Sequence, residues 1–493
     1  MLALARAMAK RPFLVGGRER AGASTLVVRN PYDGTVVAEV GRPGPRDLED
    51  AVSAAVTGFE AVRRFPAWKR ADALAEVSRR LAAERERFAR TIALEAGKPI
   101  ALARAEVDRA VQTVRFAGEE ARRIGGEVLP LDVIPGNEGR FCLTRRFPVG
   151  PVACITPFNF PLNLVAHKVA PALAAGCSFV LKPASQTPLS ALELAALLLE
   201  AGFPPDAVSV LPLASDDAAA LAEDPRIRVL SFTGSPSVGW ELRRKGFRKK
   251  VVLELGGNAG LIVDRSADLE LAVSRSAAGG FGYSGQSCIS VQRIFVHQDV
   301  FQTFRDRLVA QAERLPIGDP LDERTMLGPV ISEADAERIE AWVQEAAREG
   351  ARVLTGGTRE GTLVRPTVLT ETTPEMKVSA LEVFAPVVSV EPFARIEEAI
   401  AAVDRSDYGL QAGIFTCDLA SALAAYERIE VGALIVNDVP TYRVDSMPYG
   451  GVKSSGVGRE GPRYAILDYT DLRLLVLGGP SIEEARRSNR GRG

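Results

Sequence analysis

VACITPFNFPLNLVAHKVAPALAAGCSFVLK, residues 152–182, decides the architecture. Val152 to Ile155 and Ser178 to Leu181 are short β-branched or apolar runs. Between them Leu162 to Ala175 carries apolar residues at helical spacing and is too long for a strand. Strand, helix, strand in that order builds a parallel pair covered by its crossover helix. The pattern continues through a helix at Leu189 to Ala201 and strands at Val208 to Leu211 and Arg228 to Phe232. A second series of strands follows at Ala259 to Val263, Ser290 to Val296, Arg352 to Thr355, Pro386 to Glu391, Gly413 to Thr416 and Ala433 to Asn437. Two successive α/β domains is the economical reading. Upstream, Phe13 to Val15 and Thr25 to Val28 read as strands punctuated by Gly16-Gly17 and Asn30-Pro31-Tyr32-Asp33-Gly34. From Pro45 the pattern turns helical, and Arg70 to Leu94 and Ala101 to Ile124 are two long amphipathic candidates.

A chain of 493 residues is too long for one ordinary core, and its 46% hydrophobic and 25% charged content is that of a globular protein. A formal net charge of −1 gives no global attraction to nucleic acid or an anionic membrane. The tail bearing Arg486, Arg487, Arg490 and Arg492 is basic, as a solvated terminus often is. Met1 to Lys10 is too short an apolar patch for a signal segment, and Met8 is an alternative start. No apolar run approaches the ~20 residues that cross a bilayer. The five cysteines (Cys142, Cys154, Cys177, Cys288, Cys417) are scattered and never paired as Cys-x-x-Cys, which fits a reducing cytoplasm. Only His167 and His297 are histidines, in no metal-ligand spacing, so the chemistry is expected to proceed without histidine and without a metal.

Four segments carry chemical potential. In Pro157-Phe158-Asn159-Phe160-Pro161 two prolines stiffen a turn, so Asn159 is either a turn residue or a fixed amide donor for an oxyanion. In Leu253-Glu254-Leu255-Gly256-Gly257 a carboxylate lies between two leucines; it is either solvent-facing or a base whose pKa burial raises. In Gly285-Gln286-Ser287-Cys288 small neighbours would let substrate approach the sulfur, although a lone cysteine is more often an inert core residue. Met447 to Glu460 is glycine-rich but lacks phosphate-loop spacing.

Taken together and in order, these segments resemble the aldehyde dehydrogenase superfamily, as do Glu382-Val383-Phe384-Ala385-Pro386 and the Pro448-Tyr449-Gly450-Gly451 element. The resemblance runs from about Phe13 to Thr470. It implies two Rossmann-like parallel-sheet domains plus a β-strand oligomerisation arm. The cofactor domain would be residues 1–126 and 149–255, and the catalytic domain 256–455. Segments 127–148 and 468–480 would supply oligomerisation strands, and 481–493 a flexible tail. The arm implies a homodimer or homotetramer. The resemblance also implies Cys288 as nucleophile, Glu254 as general base and Asn159 as oxyanion donor.

For an NAD or NADP cofactor the resemblance points to Thr156, Pro157, Lys182, Ser185, Gly234, Ser235, Gly239, Leu255, Gly256, Glu382 and Phe384. Gly280 to Gly285 matches G-x-G-x-x-G literally but follows a helical pattern, so its context is wrong for a dinucleotide. Phe232-Thr233-Gly234-Ser235, after a strand, is the better turn. Relatives that prefer NAD usually carry a glutamate where Ser185 stands; its absence admits NADP, with Lys182 available to the extra phosphate.

The substrate is expected to be a small polar aldehyde, with Phe160, Arg109 and Arg443 as candidate contacts. Each arginine is otherwise a salt-bridge residue, and the Phe160 ring argues against a strongly anionic substrate. Acyl transfer to coenzyme A and a non-catalytic binding role on the same fold are the alternatives. Retention of Glu254 and Cys288 argues against both.

Overall fold

The computed structural model describes residues 10–214 and 217–478. The N-terminal start and the basic tail therefore lie outside the described residues. The first sheet runs in space Gly456–Val457, Lys250–Glu254, Val229–Thr233, Val152–Ile155, Phe179–Lys182, Val208–Val210, Phe13–Val15, Arg18–Arg20. Its five central strands are parallel, and antiparallel strands close both edges. Strand order reverses between Val152–Ile155 and Val229–Thr233, and the crevice beyond the carboxyl ends of such a pair is where open α/β sheets bind ligands. Thr156 to Asn159 and Gly234-Ser235 leave those two strands directly into it.

The second sheet runs Arg352–Thr355, Thr367–Thr370, Val387–Phe393, Val291–His297, Ala259–Val263, Gln411–Phe415, Ala433–Val436. It is parallel except for its first strand, which pairs antiparallel. Lys250–Glu254 ends the first sheet and Ala259–Val263 opens the second, so the chain crosses between them at Leu255 to Asn258. The carboxyl ends of one sheet thus face the amino ends of the other. Separate apolar clusters cover the two sheets, one around Phe179 and Leu173, another around Phe281 and Val390.

Two sequence expectations change. Arg70 to Leu94 is two helices, Ala67–Ala83 and Arg85–Ala96, because Glu84 leaves helical geometry at φ −102° and ψ 19°. Of the oligomerisation segment expected at 127–148, the part before Phe141 contributes only a single bridge, Val128 to Leu143, since Pro130, Pro135 and Gly136 interrupt it. Phe141–Pro148 pairs instead with Thr470–Leu477, in register over eight residues.

One buried ion pair ties the helical layer to the site. Lys98 and Glu106 are each 1% exposed and in direct contact. Glu106 also accepts from the backbone N–H groups of Leu162 and Asn163, at 3.0 and 3.1 Å, where the helix Asn163–Ala175 begins. Burial pushes the Lys98 ammonium down to about 8, against the pull of Glu106. Removing one partner of such a pair strands the other, so Glu106→Gln should destabilise the fold by roughly 3–5 kcal/mol. Denaturant unfolding would measure it; a loss under about 1 kcal/mol would mean that the pair is not a structural anchor.

Candidate active site

The loop bearing Cys288 follows a helix, Leu269–Phe281, through three left-handed residues: Tyr283 at φ 51°, Ser284 at 54° and Gly285 at 67°. Non-glycine residues hold such angles only when their surroundings over-determine them. Ser284 Oγ donates to Gly328 O at 2.6 Å, and Tyr283 Oη to Ala96 O at 3.3 Å. Gln286 Nε2 donates to Pro329 O, and its Oε1 accepts from the Ile331 N–H at 2.8 Å. A Cβ at Gly285 would stand 1.9 Å from Ala385 O, so only glycine fits. The literal G-x-G-x-x-G match is therefore a helix end and a strained turn that presents Cys288.

Cys288, Glu254 and Asn159 line one cavity of about 500 Å³. Pro157, Phe160, Gly234, Ser235, Leu255, Gly256, Glu382, Phe384, Arg109 and Arg443 line it too, so thirteen of the sequence candidates share it. Thr156, Lys182, Ser185 and Gly239 do not reach its wall.

Asn159 Nδ2 donates to Gln286 O at 3.0 Å, which fixes the amide and leaves its second N–H free to point elsewhere. Glu254 is buried and neither carboxylate oxygen has a partner. Burial first, then the nearby Glu460 carboxylate, raises its pKa well above the ordinary range. Burial also pushes the Cys288 thiol up to about 12, although a hydrogen bond from Tyr449 and the charge of Arg443 pull the other way. Cys288 Sγ lies 2.9 Å from Tyr449 Oη. Glu382 is pushed up to about 7 by burial, offset in part by the Gly257 N–H that it accepts at 3.0 Å.

The donors a dinucleotide requires are present. Thr156 Oγ1 is buried without a partner. Among the described residues the buried Lys182 ammonium has one hydrogen-bond partner, the Pro183 carbonyl at 3.5 Å, and burial pushes it down to about 8. Ser235 caps the helix Pro236–Lys245 without a side-chain bond to the helix backbone, its Oγ lying 3.4 Å from Ser237 Oγ, which leaves that helix terminus open to an anion. Ser185 Oγ donates to Leu213 O at 3.1 Å, so this small neutral residue is turned toward the backbone. Gly239 packs under Leu255, where a Cβ would lie 2.4 Å from Cδ2.

Arg109 and Arg443 enter the cavity from a salt-bridge network. Arg109 grips Asp445 through two bonds of 2.7 and 3.0 Å. Arg443 bonds Glu460 Oε2 at 3.0 Å and stacks on the Tyr449 ring with Cζ 3.6 Å from its centroid. His167 Nε2 lies 2.8 Å from Asp445 Oδ1, and Lys168 reaches Glu460 at 3.3 Å. Arg109 and Arg443 are salt-bridged, and both also line the cavity. Sequence reading passed over Tyr449, Asp445, Lys98 and Glu106. Only Tyr449 had a signal, its place beside Gly450-Gly451. Among the described residues, no cluster of three or more His, Cys, Asp or Glu side chains is arranged for a metal.

Comparison with known proteins matches the aldehyde dehydrogenase family model to residues 18–475. A 3-sulfolactaldehyde dehydrogenase of Priestia aryabhattai is 46% identical over 467 residues, 94% of this chain and 97% of that protein. The crystal structure of aldehyde dehydrogenase 21 from Physcomitrella patens, in complex with the reaction product succinate, superposes with a TM-score of 0.93 at 43% identity. The match covers 95% of this chain and 98% of that one. A glyceraldehyde-3-phosphate dehydrogenase of Methanocaldococcus jannaschii, complexed with NADP, gives 0.89 at 37% identity, covering 92% and 99%.

Asp445 offers a test of the network. Burial alone would raise its pKa, but hydrogen bonds from His167 and Arg109 outweigh that and hold it well below the usual range. A carboxyl held low contributes stability that is present above the unfolded aspartate pKa and lost as pH falls through the folded one. Asp445→Asn should therefore lower the melting temperature most near neutrality. The difference from wild type should shrink below about pH 4; a gap constant with pH would show that the ionised carboxylate is not its source.

Proposed function

This chain belongs to the aldehyde dehydrogenase family and oxidises an aldehyde with NAD or NADP, and from that premise we propose roles for its residues. The single observation behind them is the shared cavity, in which a half-buried thiol, an unpartnered buried carboxylate and a tethered amide converge. Cys288 attacks the aldehyde carbon, and its proton leaves to solvent. The free Asn159 N–H and the Cys288 backbone N–H stabilise the oxyanion of the resulting thiohemiacetal. A nicotinamide held in this cavity would supply the hydride acceptor, and loss of hydride from the adduct leaves a thioester on Cys288. Glu254 takes a proton from water, which hydrolyses the thioester and releases the acid.

Thr156, Pro157, Lys182, Gly234, Ser235, Gly239, Leu255 and Gly256 hold the dinucleotide, and Glu382 with Phe384 holds its nicotinamide end. Ser185, small and neutral, leaves room for a 2′-phosphate beside Lys182, so we read the site as accepting NADP as well as NAD. Residues 1–126 and 149–255 form the cofactor domain and 256–455 the catalytic one.

For the substrate we read a short polar aldehyde with an anionic group. Arg109 commits Nε and Nη2 to Asp445, so Nη1 is left for a ligand. The relatives whose names include sulfolactaldehyde, and the neighbour crystallised with succinate, support this reading. The Phe160 ring, 5.6 Å from the Arg109 guanidinium carbon, then packs against the substrate's carbon chain rather than excluding its charge.

The ribbon of Phe141–Pro148 and Thr470–Leu477 supports a homodimer or homotetramer. Leu472, Leu474, Leu475 and Leu477 are each about half exposed along it, an apolar edge that a second copy would cover. A cytoplasmic location is consistent with five free cysteines.

Cys288→Ala should abolish reduction of the cofactor. Glu254→Gln should keep one burst of reduced cofactor per site and then stall; loss of the burst as well would reassign Glu254 to the acylation half. In wild type, kcat should rise with pH through a midpoint above the ordinary carboxyl value of about 4.3, since the base must be ionised. That limb should vanish in Glu254→Gln.

Arg109→Gln should reduce kcat/KM for succinate semialdehyde roughly 10- to 100-fold, the loss of a charge-assisted contact worth about 1.5–3 kcal/mol. Propanal, tested beside it, should change little. Equal losses on both would mean that Arg109 only supports Asp445.

A further inference from the structure

Tyr449 is 3% exposed, and among the described residues its hydroxyl has one hydrogen-bond partner, Cys288 Sγ at 2.9 Å. A phenol whose only task was to fill space would do so more cheaply as phenylalanine, because a buried hydroxyl needs a partner. Here the partner is the reacting sulfur.

The phenol is held from three sides. Its backbone N–H donates to Glu460 O at 3.1 Å, and its carbonyl accepts from the Glu460 N–H at 2.6 Å. Arg443, itself bonded to Glu460, lies over the ring face with its guanidinium carbon 3.6 Å from the centroid. Isoleucine and leucine side chains, Ile289 and Leu410, pack with Tyr449 around the cysteine. A ring so fixed aims its O–H rather than letting it rotate away. The stacked cation withdraws electron density from the phenol and makes it a better donor, while burial keeps it protonated.

Among the described residues, the thiolate's other favourable neighbour is the charge of Arg443 behind the ring, which makes no hydrogen bond to the sulfur. Glu254 and Glu382 line the same cavity and oppose a negative sulfur, and burial opposes it further. Hydrogen bonds to an ionised acceptor are about twice as strong as neutral ones, so the bond strengthens when the thiol loses its proton. We propose that Tyr449 is the hydrogen-bond donor that stabilises the Cys288 thiolate and fixes the position of its sulfur, with Arg443 as the positioning residue behind the ring. This rests on the reading of Cys288 as the nucleophile.

The test uses the full chain and the variant Tyr449→Phe, which keeps the ring, the stack and the volume. Iodoacetamide alkylation of Cys288 is followed by peptide mass spectrometry across pH, so the other four cysteines do not interfere. In Tyr449→Phe the midpoint of the Cys288 profile should move to higher pH. At a fixed pH below it, the alkylation rate should fall roughly tenfold for each pH unit the midpoint moves. The melting temperature should stay near that of wild type, and kcat/KM should fall in parallel with the alkylation rate. Superimposable profiles for the two proteins would overturn the proposal, whatever happens to turnover. A separate arm isolates the premise: wild type alkylated at Cys288 should be inactive, and full activity after alkylation would remove Cys288 as the nucleophile and the proposal with it.

Discussion

A side chain at position 257 would place its Cβ 2.0 Å from the carbonyl oxygen of Cys288, and one at position 256 would stand 2.3 Å from Glu382 Oε2. That steric limit underlies the rest of the site. The chain passes from one sheet to the other at these two glycines; a Cβ at 257 would drive the Cys288 backbone away, and one at 256 would displace the Glu382 carboxylate. With glycine there, the end of Lys250–Glu254, the Cys288 loop and the Glu382 segment close on each other. Ser455 clamps the crossing: its carbonyl accepts from the Leu255 N–H at 2.9 Å, and its Oγ donates to Gly256 O at 2.7 Å. Glu254 is therefore held by backbone on both sides while its carboxylate is left without a partner. A base needs both conditions, since a hydrogen-bonded carboxylate would be anchored at a lower pKa.

How much of this was legible follows from how local each signal is. Asn159, Glu254 and Cys288 stand in segments whose neighbours are unusual by themselves: flanking prolines, paired glycines, small residues before a thiol. Each had a bland reading, and their order along the chain decided between the two. The strands expected from the sequence lie within one or two residues of the observed ones, because parallel strands buried on both faces are continuous apolar runs, but Val36–Arg42 and Thr367–Thr370 were not anticipated. The segments 127–148 and 468–480 were expected from the family resemblance alone, because strands more than 300 residues apart leave no local pattern that encodes their pairing. Lys98, Glu106 and Asp445 were not singled out, because a charged residue reads as solvated until packing buries it, and here that packing comes from other segments of the chain. The basic run from Arg243 to Lys250 was also passed over. Three of its charges fall in the last turn of Pro236–Lys245, where a helix dipole favours cations.

The arginines show where sequence reading reaches its limit and charge counting takes over. Lys98, Arg109, Lys168 and Arg443 are four cations joined through three carboxylates, Glu106, Asp445 and Glu460. Glu254, nearby and buried, is the fourth acid, and its raised pKa makes it the one that most readily stands neutral. With Glu254 protonated the group carries one positive charge in excess, and with Glu254 ionised it balances. An anionic substrate group entering beside Arg109 would meet the excess charge in the first state and none in the second. Binding of the anion and protonation of the base are then linked, because each favours the other across the network. The base must lose that proton before it can take one from the water that hydrolyses the thioester. A substrate anion would accordingly tighten binding at the cost of shifting the deacylation limb to higher pH. A neutral aldehyde of the same size would leave that limb where the protein alone sets it, so the charge of the substrate is written into the pH dependence of the second half-reaction.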